Sequence, residues 1–121
     1  MLSYSSHTDG GRAVIAPPQE IDLNNAAELE DEATAALDRG IRSLVVDMSK
    51  TTFCDSAGAA ALVRAQTRAS AMTADLRLVM GTGSFVRRVF EINGVDQILP
   101  IYASLDAAQS NIGEDVINPL C

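Results

Sequence analysis

A continuous run of aliphatic residues, Leu44-Val45-Val46, lies at the centre of the segment 41–48. Continuous rather than alternating apolar residues are typical of a strand that is covered on both faces of a sheet. The preceding segment, 25–39, has apolar residues at helical spacing, and the alanine-rich segment 57–71 predicts a second helix. Because strands that alternate with helices build α/β proteins, this pattern predicts a largely parallel sheet with right-handed crossovers.

Strand and turn signals also precede the first helix. Proline removes a donor from a strand ladder, so it ends a strand, whereas Asn and Gly are typical of the two ends of a helix. In order, the predicted elements are a strand at 2–7, a turn at Asp9-Gly10-Gly11, a strand at 12–16 that Pro17-Pro18 ends, a loop over 19–22, an N-cap at Asn24 or Asn25, the helix at 25–39 and a left-handed residue at Gly40.

The C-terminal half predicts two more strands and two more helices after a connector at 49–54. Pro100 places the last strand at an edge of the sheet. In order, these elements are the strand at 76–80, a loop at Gly81-Thr82-Gly83, a helix with the apolar stripe Phe85, Val86, Val89 and Phe90 that ends at Asn93-Gly94, the edge strand at 97–102, a helix at 105–112 that Ser104 caps, and a tail at 113–121.

Length and charge limit the classes of partner. The chain has 121 residues, the size of one domain, and carries 16 acidic and 9 basic residues for a net charge of −7. Nucleic-acid backbones and anionic membranes require Lys/Arg surfaces, so we expect neither as a partner. The N-terminus lacks the pattern of a signal peptide, no apolar run is long enough to span a bilayer, and two cysteines are too few for a secreted framework. We therefore expect a cytoplasmic protein.

The most informative segment joins the apolar strand to the second helix. Its end, Cys54-Asp55-Ser56-Ala57-Gly58, delivers an Asp-Ser pair to a helix start, after a strand, where open α/β sheets place their sites. Because a helix N-terminus favours negative charge, a phosphoserine at Ser56 would be tolerated there. On local sequence alone, the better interpretation is that Asp55 or Ser56 simply caps the helix.

Patterns typical of enzymes are absent from the sequence. Ser56 does not lie in Gly-x-Ser-x-Gly, and the only histidine, His7, lies in a stretch with little predicted structure. Gly81-Thr82-Gly83 lacks the third glycine of a dinucleotide-binding motif, and one His with two distant Cys gives no metal-ligand spacing. We expect a non-enzymatic binding protein without a cofactor or metal, and we retain Cys54 as a candidate redox site because it adjoins Ser56.

These residues resemble the STAS family, in particular bacterial anti-sigma factor antagonists. That family has a hydrophobic strand, an Asp, a short loop and Asp-Ser-(Ser/Thr/Ala)-Gly at a helix start, which here are Val45-Val46-Asp47 and Asp55-Ser56-Ala57-Gly58. A Gly-Glu-Leu-Asp motif of the family is matched by Gln19-Glu20-Ile21-Asp22, and a Phe-x-x-x-Gly helix end by Phe90–Gly94. The resemblance covers residues 10–112 in the predicted order of elements.

The resemblance implies a STAS fold, a mixed four- to five-stranded sheet with about four helices packed mainly on one face, in a single domain over 1–112. It implies that Ser56 is a phosphoacceptor. The unphosphorylated protein would bind an anti-sigma factor that is also a serine kinase and release a sigma factor. Phosphorylation would break the complex, and a phosphatase would restore it. The implied partner-binding residues are Glu20, Asp22, Asn24, Asp55, Ser56, Ala57 and Gly58.

Three positions depart from the family pattern. Gln19 replaces a glycine, Ala57 replaces a second hydroxyl residue and leaves Ser56 as the only acceptor in the motif, and Ala59 replaces a usual leucine. A second function stays open from the sequence, namely a STAS scaffold or small-ligand-binding module without a phosphorylation switch. The two functions differ in whether Ser56 is modified.

Overall fold

The computed structural model describes residues 5–9 and 11–109, which form strands, helices and one short 3-10 helix. In chain order the elements are β1 (Ser5–Asp9), β2 (Arg12–Ala16), β3 (Glu20–Ile21), α1 (Ala26–Asp38), β4 (Ser43–Asp47), β5 (Phe53–Cys54), α2 (Ser56–Ala71), β6 (Asp75–Val79), α3 (Phe85–Ile92), the 3-10 helix Val95–Gln97, β7 (Ile101–Tyr102) and α4, whose described part is 105–109.

The main sheet has five strands in the order β1-β2-β4-β6-β7. β1 pairs with β2 in antiparallel register, and β2, β4, β6 and β7 pair in parallel with their neighbours. The mixed α/β sheet predicted from the sequence is therefore confirmed. Since parallel strands share their direction, the loops that follow β2 and β4 leave the same edge of the sheet.

The helix ends follow the predicted signals. Asn25 is the N-cap residue of α1, and Gly40, just after its end, has a φ of +96° that suits glycine. Asp55 caps α2, because its side chain accepts a hydrogen bond from the Gly58 N–H. These contacts confirm the predicted bounds of the two helices to within one residue.

The core lies mainly on one face of the sheet. There Leu44 and Val46 of β4 join residues of α1, α2 and α3 in one buried cluster. Val45 points to the opposite face and packs with Val79 and Ala108, the last of these from α4. The apolar run that predicted a doubly covered strand is thus buried from both sides, with three helices on one face and one on the other.

A buried arginine fastens α4 to that second face. Arg77 in β6 is 2% exposed, and its Nη1 donates to the Ala108 carbonyl oxygen at 2.9 Å. Its guanidinium also lies 3.5 Å from an Asp75 carboxylate oxygen and 5.5 Å from the centre of the Tyr102 ring. A buried charge requires such partners, and the hydrogen bond to Ala108 joins α4 to the sheet.

A second, two-stranded sheet corrects the prediction that 19–22 is only a loop and 49–54 only a connector. β3 and β5 pair in parallel, with Glu20 opposite Phe53 and Ile21 opposite Cys54. Two-residue strands are too short to show a hydrophobic period, and their pairing depends on the parallel course of β2 and β4. The small sheet matters because it brings the loop that follows β3 next to the start of α2, which follows β5.

The last strand is also shorter than the predicted 97–102. Gly94, with a φ of +78°, leads into the 3-10 helix Val95–Gln97, and only Ile101–Tyr102 pairs with β6. Pro100 cannot donate to a ladder, although its carbonyl oxygen accepts from the Leu78 N–H at 2.9 Å. The predicted edge position of this strand is confirmed, since β7 ends the sheet.

Some predicted elements reach beyond the described residues. The strand predicted at 2–7 is placed at Ser5–Asp9, and residues 1–4 lie outside the described part, as does Gly10 of the predicted turn. Ser104 caps α4 as predicted, with its Oγ accepting from the Ala107 N–H at 3.1 Å, while 110–112 and the tail 113–121 lie outside the described part. Within 5–9 and 11–109, the helices are too short or too polar to cross a membrane.

Candidate functional site

Ser56 stands at the start of α2, exposed to solvent. The short strand β5 brings the chain there, and Asp55 fixes the turn into the helix. Asp55 Oδ1 accepts from the Gly58 N–H at 3.0 Å, so Asp55 is the N-cap and Ser56 is the first helical residue. This arrangement leaves the Ser56 hydroxyl free of the capping task that the sequence left open between the two residues.

The loop 22–25 lies directly beside this helix start. The Leu23 N–H donates to Asp55 Oδ2 at 3.2 Å, and the Asp55 N–H donates to the Ile21 carbonyl oxygen at 3.1 Å. These two hydrogen bonds join segments more than 30 positions apart in the chain. The carboxylates of Asp22 and Asp55 are thereby held on one surface.

Internal hydrogen bonds shape the loop itself. The Asn24 N–H donates to Asp22 Oδ1 at 2.9 Å, as in an Asx turn. Asn25 occupies the N-cap position of α1, but its side chain bonds backward rather than to the helix: Oδ1 accepts from the Asp22 N–H and Nδ2 donates to the Glu20 carbonyl oxygen, both at 2.9 Å. Asn25 therefore occupies the predicted N-cap position, but its side chain does not cap the helix and orders the loop instead.

The structure brings the predicted site residues together from three elements. Among them, Glu20, Asn24 and Ser56 are exposed, and Asp22, Asp55 and Ala57 are half-buried. Gly58 is buried and contributes no surface of its own. The exposed part of the surface is therefore formed by the Glu20 carboxylate, the Asn24 amide and the Ser56 hydroxyl, and the carboxylates of Asp22 and Asp55 are only partly exposed.

Gly58 allows α2 to approach the small sheet closely. A Cβ at this position would lie 2.6 Å from Cys54 Sγ and 2.7 Å from Ile21 Cγ2, closer than atoms pack. The absence of a side chain therefore lets the first turn of α2 rest on β3 and β5. This contact sets the position of Ser56 relative to the loop 22–25.

Burial, and then the charge of Asp55, raise the pKa of Cys54 from 9.0 to about 12. The side chain packs against the main core, and its thiol lies 3.7 Å from the Asp55 carbonyl oxygen. A raised pKa leaves little thiolate, the reactive form, at neutral pH. The redox role suggested for Cys54 stays a prediction, and in these surroundings we expect the thiol to react slowly.

An open groove of about 350 Å³ lies between the start of α2 and α3. Asp55 and Ser56 line it from α2, and Val89, Phe90 and Asn93 line it from the other side. Ala59, where the resembled family usually has leucine, also lines it with a single methyl group. Ser56 is thus part of both the acidic surface and the groove.

Several residues of this region were not singled out from the sequence. Leu23 and Ile92 are unusually exposed for large apolar side chains, at 79% and 74%, and Phe53 is 47% exposed. Of the apolar stripe predicted on α3, Val86 and Phe90 are buried and Val89 is half-buried, but Phe85 is 69% exposed, because periodicity alone does not tell which apolar residues meet solvent. Within the described ranges, no cluster of three or more His, Cys, Asp or Glu side chains is arranged to hold a metal ion.

Known proteins with similar sequences and structures carry this combination of elements. The STAS domain family model matches residues 4–108. BtrV of Bordetella bronchiseptica, whose name describes it as an anti-sigma factor antagonist, is 32% identical over 84 residues, which are 69% of this chain and 72% of BtrV.

Two solved structures share the fold. An anti-sigma factor antagonist from Mycobacterium paratuberculosis has a TM-score of 0.79 and 25% identity, over 91% of this chain and 92% of that one. SpoIIAA of Bacillus, in its unphosphorylated form, has a TM-score of 0.71 at 15% identity, over 98% and 99% of the two chains. Since the family model spans nearly the whole described fold and a relative agrees with it, this chain belongs to the STAS domain family.

Proposed function

We propose that this protein is an anti-sigma factor antagonist, a regulatory binding protein without catalytic activity. The observation that carries the proposal is the exposed Ser56 at the capped start of α2, beside the loop 22–25 that carries Asp22. The names of BtrV and of the mycobacterial structure support this function for a STAS protein of this size. The partner is an anti-sigma factor, and its capture releases a sigma factor in the cytoplasm.

Ser56 is the proposed switch. The anti-sigma factor is of the serine-kinase type, it phosphorylates Ser56, and a phosphatase reverses the reaction. A phosphate adds about −1.5 to −2 charges beside Asp55. The N-terminus of α2 stabilises this charge by only about 0.3–1 kcal/mol. Burying it in an interface that has no cation placed to pair with the phosphate costs about 2–5 kcal/mol. The phosphoprotein therefore stays folded but does not bind.

The proposed binding surface comprises the exposed and half-buried residues around Ser56, with Gly58 acting by position. Glu20 and Asp22 reach it through β3 and its loop, and Asn24 is exposed at the tip. Asp55 links both parts through its two carboxylate oxygens. A partner that contacts this surface meets the phosphoacceptor directly.

The test is calorimetric titration into each purified serine-kinase anti-sigma factor of the source organism, without ATP. We expect Ser56→Ala to bind like the wild type, the phosphoprotein to bind at least a hundredfold more weakly, and Ser56→Glu to lie between them, because glutamate carries one charge and no tetrahedral group. Ser70→Glu is the control, since Ser70 is exposed on the same helix 14 residues away, about 21 Å.

Two results would contradict the proposal. Equal affinity of the wild type, Ser56→Glu and the phosphoprotein would exclude the switch, and no binding to any anti-sigma factor would exclude the function. A thermal melt of each variant separates loss of binding from loss of folding. Mass spectrometry of the protein from its own cells, with and without stress, shows whether Ser56 carries phosphate there.

A further inference from the structure

We propose that the groove between α2 and α3 receives a large apolar side chain of the anti-sigma factor, flanked by a basic side chain of the same partner, and that Ser56 controls access to it. This inference rests on the proposed function, because it describes how the partner of that function is held. The groove shares Asp55 and Ser56 with the proposed binding surface and extends it to Ala59, Val89 and Asn93.

The lining of the groove fits an apolar anchor. Ala59 and Val89 supply apolar atoms, while Asp55, Ser56 and Asn93 place polar groups around them. With only a methyl group at position 59, the space of about 350 Å³ stays open. Burial of one large aliphatic or aromatic side chain contributes about 1.5–3 kcal/mol, and such anchors dominate many protein interfaces.

The surroundings of the groove indicate a protein rather than a small molecule as its occupant. Leu23, Phe53 and Ile92 are large apolar side chains that are 79%, 47% and 74% exposed. Leu23 is held beside Asp55 by its N–H, Phe53 lies in β5 just before the groove, and Ile92 directly precedes Asn93. A small molecule inside the groove would leave all three in water, whereas a protein surface covers them.

Carboxylates beside the groove indicate which kind of residue lies next to the anchor side chain in the partner. Asp55 lines the groove, and Asp22 lies in the loop that bonds to Asp55. Each Asp55 carboxylate oxygen accepts one backbone N–H, from Leu23 and from Gly58. A carboxylate has about four acceptor sites, so it can accept a further donor. A Lys or Arg next to the apolar anchor complements this edge.

Ser56 lies where the groove meets solvent, since it is exposed and also lines the groove. A phosphate on its hydroxyl narrows this entrance. It also places a strongly hydrated group where the anchor side chain must lose its water, which is unfavourable without a hydrogen-bonding partner. Phosphorylation therefore removes the anchor contact.

The test fills the groove without touching Ser56 or the carboxylates. Ala59→Leu extends a side chain into the groove, and we expect it to weaken binding of the anti-sigma factor at least tenfold while the melting temperature is retained. Ala35→Leu is the matched control, because Ala35 is exposed on α1 and the same substitution there leaves affinity unchanged. Ile92→Ser, at a site 74% exposed, carries little risk to folding and should weaken binding severalfold.

An unchanged affinity of both Ala59→Leu and Ile92→Ser would overturn the groove inference and leave the proposed function standing. If no anti-sigma factor binds the wild type, the proposed function fails, and NMR titration of p-cresol still tests the groove. Saturable shifts of the Val89 methyl signals that Ala59→Leu abolishes support a receptor for apolar side chains. No saturable shifts, or shifts that Ala59→Leu leaves intact, overturn it.

Discussion

Asp55 performs two tasks at the centre of the site. One carboxylate oxygen caps α2 through the Gly58 N–H at 3.0 Å, and the other accepts from the Leu23 N–H at 3.2 Å. The first contact lies within one helix start, whereas the second crosses 32 positions of the chain. A single side chain therefore fixes both the start of α2 at Ser56 and the position of the loop that carries Asp22, so that Ser56, the proposed phosphoacceptor, lies beside this loop.

Cys54 leads to a prediction at the same scale. Because burial raises the pKa of its thiol to about 12, little thiolate exists at pH 7.5. We expect the folded protein to react with a disulfide reagent at least tenfold more slowly than the protein unfolded in urea. The measurement uses Cys121→Ser, so that Cys54 alone reports. Equal rates in the folded and unfolded protein would show that burial does not slow the thiol and would support a redox role of Cys54.

The same pKa predicts a pH dependence of stability. In the folded protein Cys54 keeps its proton up to about pH 12, whereas a thiol with the ordinary pKa of 9.0 releases it earlier. The folded state therefore binds more protons between these pH values, and the free energy of unfolding falls as the pH rises through this window. In Cys54→Ala this part of the decline should be missing from urea titrations.

At the scale of elements, the small sheet and α2 form one unit around Gly58. The pairing of Glu20 with Phe53 and of Ile21 with Cys54 creates a surface on which the first turn of α2 rests. The fit depends on a missing side chain, because a Cβ on Gly58 would meet both Cys54 and Ile21. The glycine of the Asp-Ser-x-Gly motif thus has a packing reason in this chain.

Gly58→Ala tests that unit. Alanine raises helix propensity by about 1 kcal/mol, but overpacking costs about 1–3 kcal/mol. With a contact of 2.6 Å to Cys54 Sγ, overpacking outweighs propensity, so we expect net destabilisation in urea unfolding. Gly83→Ala, whose Cβ would meet no atom within 4 Å, serves as the control with little change.

A double mutant locates the clash. If the Cβ of Gly58→Ala meets the thiol, the same substitution in a Cys54→Ala background should cost less, although Ile21 at 2.7 Å still limits the recovery. A Gly58→Ala protein as stable as the wild type would show that α2 can shift away from the small sheet. Partner binding by that protein would then show whether the position of Ser56 tolerates the shift.

Across the whole molecule, the features that sequence predicts are those with a local cause. The apolar run Leu44–Val46 fixes the central strand, and Gly40 and Asp55 mark helix ends by their own backbone and hydrogen bonds. The β3–β5 pairing escapes prediction because it joins two-residue strands 33 positions apart, which have no period.

The candidate site likewise has features that the sequence predicts and features that it does not. Ser56 and the acidic residues are recognisable from the motif, and their gathering on one surface follows from the order of parallel strands. The groove depends on the separation of α2 and α3 and on which face of α3 meets solvent. Neither can be predicted from the spacing of Phe85, Val89 and Ile92. The modification of Ser56 stays a prediction, since a fold permits it without requiring it.

The net charge of −7 leads to the last prediction, at the scale of the molecule and its partner. Charges steer association over about 30 Å at 0.01 M salt but only about 8 Å at 0.15 M. If the anti-sigma factor presents a basic surface, we expect its association rate constant to fall at least tenfold between 10 mM and 500 mM NaCl. The dissociation rate should change much less, because the anchor contact is apolar.

In stopped-flow measurements Asp22→Asn should flatten this salt dependence more than Asp31→Asn, which removes an exposed carboxylate on α1. An association rate constant that does not change with salt, or equal effects of the two substitutions, would mean that Asp22 does not guide the partner.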